Sequence, residues 1–178
     1  GVSWKAVTSP VAQDLHAIWG SSAKDIWAVG NGFTRLHYNG TTWSATTGTG
    51  VDLYGVFGNS ANDVWTVGSS SHSSHWDGTS WTTVGTNVTS TLRGVWSTGP
   101  NDVWAVGSGG VTLHWNGFKW TLINNSGAAG NMTGVWGSAT NNVWAVGNVG
   151  GIIHYVTLWS GTGQGAYSNA IFGTASND

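Results

Sequence analysis

Four histidines recur at one position of a repeated pattern, each directly before an aromatic residue: His37, His75, His114 and His154. A metal site would require several such ligands to converge on one point. Histidines at equivalent places in successive repeats are instead spread over the molecule, one in each repeat. We therefore expect each histidine to form a hydrogen bond inside its own repeat, as buried polar groups require. Contact with a glycan is the alternative interpretation.

The carboxylates are dispersed in the same way. Asp25, Asp63 and Asp102 occupy one repeat position, and Asn142 takes the same place in the next repeat. An amide can replace a carboxylate there if the position needs hydrogen bonds and not charge, so we expect these side chains to bond to backbone N–H groups in turns. The sequence contains no calcium-binding loop of the Asp-x-Asp-x-Asp type and no set of nucleophile, base and acid. It predicts a protein that is not an enzyme and has no metal or other cofactor.

A third pattern places an aromatic ring and an oxygen-bearing side chain within one hairpin. In three repeats an Asn-Gly or Asp-Gly turn follows the histidine and its aromatic neighbour and leads to a tryptophan. An aromatic face can contact the C–H face of a sugar while an amide or carboxylate orients its hydroxyl groups. The candidate carbohydrate-binding residues are Asn39, Trp43, Asp77, Trp81, Asn116 and Trp120. The competing interpretation is that these tryptophans are core residues packed against a neighbouring repeat.

The elements that position these residues follow from an internal repeat of about 39 residues. One aromatic position marks it: Trp19, Phe57, Trp96, Trp136 and Phe172. Each repeat contains four short alternating segments separated by turn residues, which in the third repeat are residues 92–97, 102–107, 111–115 and 119–122. Four hairpin-linked strands form a twisted sheet whose faces are covered when such sheets pack radially. We predict an all-β propeller of four-stranded blades without helices.

The repeat also predicts the organisation of the domain. Four complete units cover about residues 14–46, 52–84, 91–123 and 131–163. Residues 1–7 match an outer fourth strand and residues 168–178 match an inner first strand, so they form a split, partial fifth unit. Three alternatives follow, because exposed strand edges are normally protected. The chain is a fragment of a larger propeller with further repeats, a second chain completes the split blade, or a five-bladed ring closes imperfectly.

A second tryptophan of each repeat is predicted to fill the space between blades. It lies in a Trp-Ala/Thr-Val-Gly context and is represented by Trp27, Trp65, Trp104 and Trp144. A tryptophan buries on the order of 150–250 Å². The sequence contains 14 tryptophans and 29 glycines, which is typical of a turn-rich β structure with an aromatic core.

The composition excludes several classes of function. The 178 residues include only 5 Lys and Arg, so a footprint for a nucleic-acid backbone is absent. There is no cysteine, which excludes disulfides, thiolate metal sites and cysteine nucleophiles. No apolar run approaches the roughly 18 residues of a membrane span. We therefore expect no nucleic-acid partner and no membrane span.

The motifs Val-Trp-Gly-Ser, Asn-Asp-Val-Trp-Ala-Val-Gly and His-Trp-Asn/Asp-Gly-x-x-Trp resemble the tandem β-propeller repeats of secreted bacterial proteins, which are common in myxobacteria-like sequences. The hairpin at 77–81 is similar to the Asp-box of sialidase-type propellers, but the sialidase arginine triad, Tyr and Glu cannot be assembled, since the chain has only Arg35 and Arg93 and no Glu. More loosely, the architecture resembles tachylectin and tectonin lectin propellers. The resemblance implies a propeller fold and a secreted, extracellular or cell-surface location.

Two functional hypotheses follow. The first is a non-enzymatic extracellular recognition module, a multivalent carbohydrate-binding (lectin-like) propeller with glycans as partners. Repeated equivalent surfaces raise the avidity for repetitive ligands, which favours this hypothesis. The alternative is a structural, adhesive or protein-interaction repeat module of a larger surface protein, with no small-molecule ligand.

Overall fold

The computed structural model describes residues 2–123 and 130–156. These residues form four antiparallel sheets, three with four strands and one with three. The first sheet contains β1 (Leu15–Ser22), β2 (Asp25–Gly30), β3 (Thr34–Tyr38) and β4 (Trp43–Thr46). The second contains β5 (Leu53–Ser60), β6 (Asp63–Gly68), β7 (Ser73–Trp76) and β8 (Trp81–Thr83). The third contains β9 (Leu92–Gly99), β10 (Asp102–Gly107), β11 (Thr112–Trp115) and β12 (Trp120–Leu122). The last contains β13 (Met132–Ala139), β14 (Asn142–Gly147) and β15 (Ile152–Val156).

The sheets are the blades of a β-propeller. In each sheet the strands pair in chain order, so every connection within a blade is a hairpin. The first strands of successive blades contact one another, β1 with β5, β5 with β9, and β9 with β13. These first strands therefore lie innermost, and the fourth strands lie at the rim. The predicted all-β propeller of four-stranded blades is confirmed, and the only helical segment in the described residues is a single 3₁₀ turn at Ser108–Gly110.

The predicted partial fifth unit is not tested by the described residues. Residues 157–163, which would supply the fourth strand of the last blade, lie outside them, as do residues 168–178. The last repeat has no Asn-Gly or Asp-Gly turn after His154, which predicts a tighter or distorted hairpin there, and that hairpin also falls outside the described range. Residues 2–9 form no regular secondary structure and are exposed. The split blade and its three alternatives stay predictions.

Each first strand carries two β-bulges, where it has one residue more than the second strand beside it. One bulge lies near the end of the blade where consecutive blades are connected, which we call the front end, and its extra residues are His16, Tyr54, Arg93 and Thr133. The other lies at the opposite, rear end, and its extra residues are Ser21, Asn59, Thr98 and Ser138. The two sets differ in chemistry, since the rear set is short and polar throughout.

The second-strand tryptophans fill the space between blades, as predicted for three of the four. Trp65 stacks on His75 of its own blade at 4.6 Å between ring centres and meets Trp115 and Trp120 of the next blade at 5.3 and 5.5 Å. Trp27 and Trp104 are also buried. Trp144 is 39% exposed, and the residues predicted to follow its blade lie outside the described ranges, so its burial stays a prediction.

A second set of aromatic rings steps along the inner strands. Trp19 lies 6.2 Å from Phe57, and Phe57 lies 6.4 Å from Trp96. The Trp19 ring leans over the residue that follows Phe57, and a Cβ at Gly58 would lie only 2.7 Å from that ring. Trp96 leans over Gly137 in the same way, at 2.5 Å. In the third blade the equivalent residue is Ser97, and the aromatic of the preceding blade is the smaller Phe57.

This close approach predicts that Gly58→Ala is strongly destabilising. The added methyl would lie 2.7 Å from the Trp19 ring and 2.6 Å from the Asp63 carbonyl oxygen, so the inner strands would have to separate. We expect a loss of about 1–3 kcal/mol in the free energy of unfolding, as in overpacked cores. Gly99→Ala is the matched control, because a Cβ at Gly99 meets nothing within 4 Å. Equal effects of the two variants in urea denaturation would contradict the proposed contact.

Candidate functional site

The repeated histidine and aspartate form one cluster at the rear end of each blade. In the second blade, Nε2 of His75 lies 2.8 Å from Oδ1 of Asp63, and Asn59 donates its Nδ2–H to Oδ2 of Asp63 at 2.7 Å. The His75 ring stacks on Trp65. One carboxylate therefore joins the rear bulge of the first strand to the histidine of the third strand, with the tryptophan ring of the second strand packed against them.

The same cluster recurs in the other blades. The corresponding nitrogen-to-oxygen distances are 2.6 Å for His37 and Asp25, 2.7 Å for His114 and Asp102, and 2.6 Å for His154 and Asn142. The prediction that each histidine bonds within its own blade is confirmed. The aspartates do act through hydrogen bonds, but the expected partners were wrong, because they bond to side chains of the first and third strands and not to turn backbone. In the last blade Asn142 donates to Ser138 at 2.7 Å.

The electrostatics of this cluster are clearest at Asp63. Burial by itself raises the pKa of the Asp63 carboxyl, but the hydrogen bonds from His75 and Asn59 and the attraction of the His75 ring outweigh it and hold the pKa below its ordinary value. The ionised form is therefore stabilised in the fold. Both oxygens of Asp63 are engaged within the blade, and Asn59 also donates to Ser97 of the next blade at 2.6 Å, so the cluster has a structural role.

The candidate sugar-contacting oxygens are occupied by their own hairpins. Oδ1 of Asp77 accepts hydrogen bonds from the backbone N–H groups of Thr79 and Ser80, both at 2.8 Å. These bonds, the one from Ser80 first, lower the pKa of Asp77. Asn39 and Asn116 make the equivalent pairs of bonds at 3.0 Å. The glycines after them have positive φ, as the turn residues predict: Gly40, Gly78 and Gly117.

The three candidate tryptophans have different environments. Trp120 is only 4% exposed, because it packs edge-on against Trp65 of the preceding blade. Trp81 meets Trp27 in the same way at 5.2 Å. Trp43 belongs to the first blade, so the described residues place no blade before it, and it lines an apolar cavity of about 150 Å³ with Ile18 and Leu36. The core interpretation holds for Trp120 and Trp81, and Trp120 offers no face for stacking on a sugar.

A buried cation distinguishes the contact between the first two blades. Arg35 is only 3% exposed, and its guanidinium lies between the rings of Phe33 and Trp81, 4.0 and 4.4 Å from their centres. It donates to the hydroxyl of Ser74 at 2.6 Å and to that of Thr66 at 3.3 Å. Burial lowers the pKa of Arg35 to about 10.

This cation also affects its neighbour His72. Burial and then the charge of Arg35 lower the pKa of His72 to about 4. The sequence carried a signal for this cluster that motif analysis missed. Thr66 and Ser74 stand where the other blades have Ala and Leu or Ile. These two polar residues face Arg35, which lies on the third strand of the first blade. The hydroxyl groups of the second blade thus provide acceptors for the arginine of the first.

The front bulges bring together residues that sequence analysis also missed. The His16 and Tyr54 rings lie 5.1 Å apart, and the Arg93 guanidinium lies 5.3 Å from the centre of the Tyr54 ring. These positions differ between repeats, whereas the residue before them is always Leu or Met and the residue after them is always Ala or Gly. A variable residue between two nearly constant neighbours was therefore the feature of the sequence that could have identified these positions.

Strained turns lie at the same front end. In every blade the turn between the second and third strands has two consecutive residues with positive φ, and three of these turns contain residues other than glycine: Phe33, Ser70, Ser71 and Val149. A positive φ is rare for bulky or β-branched residues and tends to persist at ligand-binding sites. The front end therefore combines varied side chains with unusual backbone.

Two classes of site have no structural support in the part of the chain that the structure describes. Residues 2–123 and 130–156 contain no group of three or more His or Asp side chains placed to hold a metal ion. Within the same ranges, no helix has the length and apolar character needed to cross a bilayer.

Comparison with known proteins shows similarity in fold. A structure of YCF48 bound to a D1 peptide superimposes with a TM-score of 0.67 at 20% sequence identity, covering 82% of this chain and 50% of that chain. YCF48 from Cyanidioschyzon merolae superimposes with a TM-score of 0.68 at 18% identity, covering 88% of this chain and 57% of that chain. The chain thus spans about half the length of these structures. No protein-family model and no curated protein sequence matches it.

The rear cluster predicts a pH-dependent contribution to stability. Asp63→Asn removes the carboxylate charge that accepts from Asn59 and His75. Asn59 is not free to turn towards a new partner, because it also donates to Ser97 at 2.6 Å. We expect a loss of about 1–2 kcal/mol near pH 7. Because the Asp63 pKa is lower in the fold, this stabilisation is present above the unfolded aspartate pKa of about 3.9 and is lost as the pH falls through the lower folded value. Chemical denaturation near pH 7 and near pH 2 measures the free energy of unfolding of the original chain and of the Asp63→Asn variant. A difference between the two proteins that is the same at both pH values would contradict the assignment.

The outer tryptophans predict unequal costs of truncation at one repeat position. Trp120→Ala removes a buried ring and should lower the free energy of unfolding by about 3–5 kcal/mol. Trp43→Ala, the matched control, removes a half-buried ring with no preceding blade beside it, so we expect a clearly smaller loss. Thermal and urea unfolding of both variants would test this. Similar losses for the two would show that contact with a neighbouring blade does not determine the role of this tryptophan.

Proposed function

We propose that this propeller is a non-enzymatic recognition module that binds a polypeptide segment of a partner protein. One observation carries the proposal. The polar groups that are constant in the repeat are used in hydrogen bonds within each blade, whereas the position that varies lies at the front bulge, where two of the four residues keep donor groups without hydrogen-bond partners among the described residues. These two residues are Tyr54 and Arg93. Binding residues are commonly held in this way by a rigid scaffold.

The structural comparison supports a protein partner over a sugar. One of the similar propellers is bound to a peptide. The likeness to it extends to the fold and not to specific residues, so it supports the class of ligand and not its identity. A rigid propeller with exposed turns and loops at one end suits an extended segment, because backbone donors and acceptors of the peptide can pair with polar groups around the axis.

The hypothesis of a lectin is less favoured by the site geometry. Its oxygen atoms cap their own turns at Asn39, Asp77 and Asn116, and two of its three tryptophans pack between blades. Glycan binding through other residues stays a prediction. A purely structural or adhesive role would need no varied front bulge, so the same experiment can separate all three functions.

The test compares an unbiased library of displayed peptides with a glycan array, using the full chain. We expect the selection to enrich peptides that bind with micromolar affinity and compete with one another for one site. We expect no specific signal on the glycan array. Heat-unfolded protein is the control, because exposed tryptophans bind peptides non-specifically. Glycan binding without peptide enrichment would support the lectin, and absence of both would support a structural module. Either result would overturn the proposal.

A further inference from the structure

The four extra residues of the front bulges form what we call the axial row: His16, Tyr54, Arg93 and Thr133. Each belongs to an innermost strand, so the row runs across adjacent blades beside the propeller axis. The bulge itself is constant, since in every blade the first strand has one extra residue at this point. A β-bulge re-aims its side chain and is often found beside functional sites.

Comparison with the rear bulges shows which groups are available. The rear residues are committed to the structural clusters, as Asn59 is to Asp63. In the axial row, His16 is held by Asn31, whose Oδ1 lies 2.6 Å from Nε2 of His16. Among the described residues, the Tyr54 hydroxyl and the Arg93 guanidinium have no hydrogen bond, and Nε of Arg93 is buried without a partner. A buried donor without an acceptor costs about 1–3 kcal/mol.

The charges at the front end define the missing acceptor. Arg93 makes no ion pair with a carboxylate in the described residues. Two front-end carboxylates are engaged elsewhere, since Asp52 accepts from the Gly32 backbone N–H at 2.9 Å and Asp14 accepts from Asn31 at 3.4 Å. Arg35, the other arginine, has hydroxyl partners. Arg93 is thus a half-buried cation that lacks an anion.

We propose that the axial row is a carboxylate-binding subsite of the peptide site, an inference that rests on the proposed function. Arg93 donates N–H groups to the two carboxylate oxygens, for which the planar guanidinium is suited. Tyr54 donates its hydroxyl to one of them, and the His16 ring packs against the Tyr54 ring, with 5.1 Å between ring centres. A carboxylate fits better than a phosphate, because Arg93 is the only permanently charged member of the row. The carboxylate is the C-terminus of a partner chain or an Asp or Glu side chain.

The experiment uses small carboxylates as probes of the intact chain. N-acetyl-alanine represents a chain terminus, N-acetyl-glutamate amide represents a side chain, and N-acetyl-alanine amide is the uncharged control. The ring signals of His16 and Tyr54 are followed by NMR during titration. We expect saturable shifts with millimolar dissociation constants for one or both acids and none for the amide. The acid that binds more tightly identifies the source of the carboxylate.

Variants separate a binding role from a structural one. Arg93→Gln should weaken binding of the acid about tenfold or more, and Tyr54→Phe should weaken it less while leaving the ring contacts intact. Lys24→Gln is the matched control, because Lys24 is an exposed cation at the rear end and its loss should leave binding unchanged. Thermal unfolding of each variant checks that the fold is retained.

Two results would overturn the inference. One is the absence of saturable shifts with either acid, and the other is equal binding by Arg93→Gln and Lys24→Gln. A peptide selected from the library that binds Arg93→Gln as tightly as the original chain would also reject the axial row, while leaving the proposed function intact. Failure of the peptide selection itself would reject the proposed function without regard to this subsite.

Discussion

The hydrogen bond between the histidine of the third strand and the Asp or Asn at the start of the second strand is the contact on which each blade depends. In the second blade, the two oxygens of Asp63 join His75 to Asn59, so three strands are tied together at the rear end. The His75 ring then backs Trp65, whose other surroundings are Trp115 and Trp120 of the next blade. A polar contact within one blade therefore orients the ring that packs that blade against its neighbour. Loss of this hydrogen bond would weaken both the rear end of the blade and its packing against the next blade.

This arrangement separates a structural bulge from a bulge with the proposed recognition role along one strand. The first strand has two bulges, and the rear one is used for the cluster that each blade requires. The front bulge does not take part in that cluster, and its extra residue changes from blade to blade among His, Tyr, Arg and Thr. A rigid frame can tolerate such changes because the flanking residues vary little, being Leu or Met before the bulge and Ala or Gly after it. Chemical variety is thus concentrated at the axis of the front end, where groups from adjacent blades can contact one ligand together.

The contacts between blades are matched in pairs and are not interchangeable. The larger Trp19 leans over Gly58, whereas the smaller Phe57 is the aromatic of the blade before Ser97. Arg35 in the first blade meets Thr66 and Ser74, which replace apolar residues of the other blades. Exchange of two blades would place a tryptophan over a serine or bury a guanidinium among apolar side chains, and a buried charge without polar partners is costly. The order of the blades is therefore encoded in residues that depart from the repeat.

The repeat by itself determined the propeller, the hairpin turns with positive φ after Asn39, Asp77 and Asn116, and the bonding of each histidine within its blade, because these depend on local periodicity and turn chemistry. Three matters were decided only by the tertiary structure. The burial of Trp65 depends on Trp115 and Trp120 of the neighbouring blade, a contact that the local sequence around Trp65 does not reveal. The pairing of Arg35 with Thr66 and Ser74 joins residues more than 30 positions apart. The axial row exists because an extra residue in each first strand turns its side chain out of the ladder, and that shift of register is a property of strand pairing that no single segment of the sequence reveals.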